Sequence, residues 1–133
     1  VALKAYVKNY WMTFGWLSLA SLGTLAWLAP WLLPVFGEGY QEGALVMRVF
    51  LLGSAGAHLL RVPFGHLLSA VGRADWNTYV NAVVLVLTAA TRMWSIPRWG
   101  IVGAAGAMAG MLWVSGGMYA AMFGLHLRRQ RQV

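Results

Sequence analysis

From Tyr10 to Phe36 the chain carries no charged residue. That stretch exceeds the roughly 20 apolar residues needed to cross a hydrocarbon core about 30 Å thick. It is also too long for a secretory leader, whose apolar core runs roughly 7 to 15 residues. The remaining sequence is of the same kind: 60% of residues are hydrophobic, 10% are charged and the mean hydropathy is +0.64. A soluble domain carries roughly 25% charged residues, so the expected solvent is lipid.

Four apolar helices account for the length. The first is expected over about 5–33, ended by Pro30 and Pro34, which remove donors and clash with the preceding turn. GEGYQEG at 37–43 reads as an aqueous turn. A second helix over about 41–71 contains Arg48, His58, Arg61 and a central Pro63, which predicts a kink near Arg61. GRADWN supplies a polar turn in which Asp75 or Asn77 caps a third helix, 76–95, that stops before Pro97. The fourth runs over about 100–127, and 128–133 form a basic tail. The expected fold class is therefore all-α, a polytopic membrane protein whose residues 1–133 form one segment of four transmembrane helices. Trp11 and Trp31 lie roughly 30 Å apart along such a helix, and Trp76 and Trp94 roughly 27 Å, which suits interfacial belts.

Charge orients the segment. Lys4, Lys8, Arg73, Arg128, Arg129 and Arg131 fall on one side, and Arg98 with Glu38 and Glu42 on the other. Basic residues collect on the cytoplasmic face, which predicts that both ends of the segment are cytoplasmic. The net charge of +7 does not indicate nucleic acid, because the bases are scattered between apolar runs. Anionic lipid, or an anionic substrate carried on lipid, is the better partner.

Most catalytic chemistry lacks its residues. There is no cysteine, which excludes disulfides and thiolate sites, and the three acids, Glu38, Glu42 and Asp75, all fall in expected turns. Glu38 and Glu42 share a turn that offers no pocket to tune an acid/base pair. His58, His66 and His126 are too dispersed for a metal site, and no nucleophile elbow surrounds any serine. No enzyme activity, metal or cofactor is expected. Gly100, Gly103 and Gly106 superficially suggest a phosphate loop, but GxxGxxG after a helix-breaking proline is not the dinucleotide pattern. As a helix, Gly103, Gly106, Ala107 and Gly110 instead form a small-residue stripe for close packing in lipid.

Several short motifs follow one another in a telling order. They are Phe36-Gly37 with Tyr40, MRVFLLG at 47–53, LSAVGR at 68–73, Asn81 in the third helix, and IPRWGIVGAA at 96–105. In order and spacing they resemble the C-terminal part of the bacterial O-antigen type lipid flippases, in the multidrug/oligosaccharidyl-lipid/polysaccharide exporter superfamily. The resemblance covers nearly the whole chain. It implies part of a larger two-bundle transporter in the bacterial inner membrane, which flips a lipid-linked oligosaccharide by alternating access during polysaccharide or lipopolysaccharide synthesis. Arg92 departs from the pattern, where a neutral polar residue is expected.

The bases inside the spans are the candidate site. No acid within a span pairs with Arg48, Arg61 or Arg92, and a guanidinium grips phosphate oxygens bidentately. The expectation is that Arg61, Arg48 and Arg92 line a cavity and bind the pyrophosphate or acidic sugars of the glycolipid, with His58 nearby. For Arg48 and Arg92, snorkelling to the interface is the competing account. Two other functions fit the chain. One is a multidrug-type exporter of the same superfamily, which more often needs an intramembrane acid for cation coupling, and the other is a small four-helix scaffold that packs against a membrane glycosyltransferase.

Overall fold

The computed structural model describes residues 2–132, side chains included except at Gln41 and Glu42. Val1, Val133 and the Glu42 carboxylate considered above therefore lie outside the described atoms. The fold is all-α, with no strand among the described residues. Three helical stretches are long and apolar enough to cross a membrane: α1 (Ala2–Phe36), α2 (Ala44–Ala70) and α3 (Ala74–Arg131).

The third and fourth expected helices form one helical stretch of 58 residues, α3, interrupted only at Gly100. The reason is local. Pro97 does not end the helix; it lies inside α3, and only Gly100, at φ 58° and ψ −137°, leaves helical geometry. That conformation is open to glycine and strained for other residues. The chain doubles back there. Ser95 Oγ donates to Gly103 O at 3.1 Å, and Tyr119 Oη donates to Asn81 Oδ1 at 3.0 Å. In a straight helix these pairs would lie about 12 Å and 57 Å apart. α3 is thus a hairpin of two arms, 74–99 and 101–131.

The other boundaries shift for similar reasons. Helix α1 continues through Pro30 and ends in a 3-10 turn, Leu33–Phe36, before Gly37 at φ 131°. α2 starts at Ala44 and contains a π-turn, Ala57–Arg61, where a kink was expected. Neither Asp75 nor Asn77 caps α3: its first turn has no side-chain cap, and Asn77 Nδ2 donates instead to Gly65 O and Ser69 Oγ. The basic tail is helical as far as Arg131.

α2 is the hub. It packs antiparallel to α1 and to the first arm of α3, and parallel to the second arm. The second interface is close: a Cβ on Gly56 would meet the Trp113 ring at 2.6 Å, and one on Gly116 would meet Leu60 Cβ at 2.7 Å. Close backbone approach in lipid needs such small residues. The expected stripe is only partly used. Gly103 sits against Ser95 O and Ala107 is buried, whereas Gly106 and Gly110 are exposed, and a Cβ added to either would meet nothing within 4 Å. Gly53, Gly56 and Gly116 pack α2 on the second arm of α3, and Gly103 packs the two arms of α3 together.

Leu67, Leu68, Val80, Tyr119 and Phe123 form the core, with Leu3 and Val7 of α1 against it. The start of α1, the 71–73 turn and the end of α3 therefore share one end of the bundle. Large apolar side chains such as Trp16, Trp27, Leu85 and Met93 point outward, a surface suited to lipid and far more apolar than a soluble monomer tolerates.

Candidate functional site

The placement of Arg61 begins with Pro63. Val62 N–H bonds Ala57 O, five residues back. The His58 carbonyl thereby loses its usual donor four residues on, and the next residue, Pro63, has no N–H to give. The Leu59 carbonyl loses its donor to Pro63 directly. In lipid both must be satisfied by protein. Helix α1 supplies the donors: Tyr10 Oη bonds His58 O at 3.1 Å, and Trp11 Nε1 bonds Leu59 O at 2.7 Å. Trp11 therefore serves helix pairing as well as any interfacial role. The π-turn Trp11–Gly15 of α1 lies opposite the π-turn of α2, with Gly15 beside Leu59.

Anchored in this way, half-buried Arg61 extends its Nη2 to Asn81 Oδ1 at 3.0 Å. The buried Tyr119 hydroxyl donates to the same oxygen at 3.0 Å. Two donors on one amide oxygen fix its orientation and leave the Asn81 NH2 pointing elsewhere. The cluster joins α2 to both arms of α3. Its partner for the guanidinium is neutral, so the positive charge is hydrogen-bonded without being compensated.

The other expected site residues do not join Arg61. Arg48 is exposed and its Nε donates to Ala26 O at 3.0 Å. That carbonyl is the one Pro30 leaves without its helical donor, so Arg48 completes α1. It also lines a cavity of about 380 Å3 between α1 and α2, with Leu22, Gly23 and Leu51. His58 is exposed, and its Nδ1 donates to Ser54 O, 2.8 Å away. Arg92 is half-buried: Nη2 approaches Met108 Sδ at 3.3 Å, and Nε is buried with no partner. Asn81 and Arg92 are about three turns apart on one helix, hence on one stripe roughly 16 Å long.

In the sequence Asn81 stands out only as a motif position and Trp11 only as an interfacial anchor, and nothing marks Tyr119 or Tyr10 as site residues. A signal existed for Tyr10 and Trp11, because Pro63 inside an apolar helix long enough to cross a membrane requires donors from a neighbour. The two ends of the bundle carry paired aromatics and bases: Arg98 over Trp94 at 4.3 Å, and Arg73 over Trp76 at 5.0 Å. Among the described residues no cluster of His, Asp or Glu could hold a metal.

No family model, curated protein or solved structure matches the chain.

Proposed function

We propose that the chain is a transport segment of a bacterial inner membrane, with four crossings and both described ends cytoplasmic, that helps flip a lipid-linked oligosaccharide by alternating access. The observation that carries this reading is Arg61, a permanent cation whose partner is the neutral Asn81. A charge at the centre of a span costs about 3 kcal/mol on insertion scales. Retaining it without an acid calls for an anionic counter-group, and a phosphate is the anion that a planar guanidinium holds best.

Asn81 and Tyr119 hold the guanidinium in place by one of its five N–H donors, and the others remain for phosphate oxygens. Arg92, with an unpartnered Nε on the same stripe as Asn81, is a second contact for an elongated anionic head group. Arg48 is assigned a structural role, because its Nε completes the α1 backbone at Ala26. His58 stands next to the site without a role in it. The clustering of Lys4, Lys8, Arg73, Arg128, Arg129 and Arg131 at one end supports the orientation.

The test is export in cells whose sole copy carries Arg61→Ala or Arg61→Lys. The alanine variant lowers outer-leaflet glycolipid at unchanged protein level, and the lysine variant retains part of the activity. Normal export by Arg61→Ala overturns the proposal.

A further inference from the structure

A groove of about 550 Å3 runs between the start of α1 and the end of the second arm of α3. Lys4 and Lys8 stand at one end of it, Trp11 and Trp16 carry it along α1, and Phe123 and Leu127 form the facing wall. Lys4 and Lys8 are exposed, are one turn apart and share a helix face. From Lys4 to Trp16 the helix rises about 18 Å, close to the depth of one leaflet of a core about 30 Å thick together with its head-group layer. None of the described residues lining the groove is acidic.

We infer that this groove binds one anionic phospholipid of the adjacent leaflet, with its phosphate on the Lys4 and Lys8 ammonium groups and an acyl chain along Trp11, Trp16, Phe123 and Leu127. The charge pattern selects this occupant. Lysine stems lie along apolar surface while their ammonium groups reach the head-group layer, and the neighbouring Arg128, Arg129 and Arg131 raise the local positive potential. A second copy of the chain in the same orientation is a poor occupant. Among the described residues its end of the bundle carries a single side-chain carboxylate, Asp75, since Glu38 and Glu42 lie in the turn at the far end. The inference rests on membrane residence and is independent of what Arg61 binds.

The test uses the purified protein in phosphatidylcholine vesicles that contain, as a minor component, phosphatidylglycerol or phosphatidylcholine with brominated acyl chains. Tryptophan quenching is the readout. Brominated phosphatidylglycerol quenches more than brominated phosphatidylcholine, and Trp16→Phe removes much of the excess. Lys4→Gln with Lys8→Gln weakens the apparent affinity for phosphatidylglycerol about 30-fold, from roughly fivefold per lysine. Arg129→Gln with Arg131→Gln, which removes the same charge outside the groove, leaves most of the excess in place. Equal quenching by the two lipids overturns the inference. So does an equal loss in the two double variants, which would mean a diffuse attraction, or an excess untouched by Trp16→Phe.

Discussion

Gly53→Ala tests the packing of α2 on the second arm of α3. The new Cβ would collide with Ala109 Cα and lie 2.8 Å from Ala109 Cβ. Neither is the free end of a flexible side chain, so relief requires the two helices to separate, and Gly56 against Trp113 and Gly116 against Leu60 loosen with them. Overpacking costs about 1–3 kcal/mol, and a backbone collision belongs at the upper end. Alanine returns up to about 1 kcal/mol through helix propensity. The net loss is about 2 kcal/mol, roughly 30-fold in the folding equilibrium. Gly110→Ala is the control: nothing lies within 4 Å of its Cβ position, so only the propensity gain of up to about 1 kcal/mol remains. Reversible unfolding in mixed micelles, followed by far-UV circular dichroism against rising denaturing detergent, should separate the two variants by about 3 kcal/mol. Equal stability of Gly53→Ala and Gly110→Ala would refute the assigned interface.

Gly100→Ala places a Cβ on the φ 58°, ψ −137° residue of the α3 hairpin and costs about 1–3 kcal/mol in the same unfolding assay; a neutral result contradicts the turn. Arg48→Ala exposes Ala26 O to lipid and costs about 2 kcal/mol, whereas in a Pro30→Ala background the restored N–H at residue 30 makes the same change nearly neutral. Equal costs in the two backgrounds remove the backbone role of Arg48. Since the chain has no cysteine, single replacements report topology directly. Glu38→Cys should react with an impermeant maleimide added outside cells, and Arg73→Cys and Gln130→Cys only after permeabilisation; the reverse pattern inverts the orientation.

The all-α class and the apolar helices were legible because the absence of charge from Tyr10 to Phe36 leaves few other options. Where helices end was less legible. At Pro30 the helix continues, and the carbonyl that the proline orphans takes its donor from Arg48, twenty-two residues away from Ala26. At residues 95–103 the reversal needed Gly100 alone, so the more conspicuous Pro97 gave the wrong boundary. The small-residue stripe had the right period, yet which glycines face a partner depends on the rotation of α3 about its axis. Gly53 and Gly56 looked no different from the exposed Gly106 and Gly110. At the site, Arg61 stood out as an unpaired charge in a span. Asn81 and Tyr119 did not, because their meeting on one amide oxygen depends on the α3 hairpin closing against α2.

Engagement of the anionic head group of a lipid-linked oligosaccharide by Arg61 is what the proposed function stands on. Its most direct test is the affinity of the protein in lipid nanodiscs for a lipid-linked oligosaccharide pyrophosphate, measured for the wild type, Arg61→Ala and Arg48→Ala. Loss of a charge-assisted contact worth roughly 1.5–3 kcal/mol predicts a weakening of about 10- to 150-fold for Arg61→Ala, with Arg48→Ala close to wild type. Unchanged affinity in Arg61→Ala, in a protein that remains folded, would contradict that role.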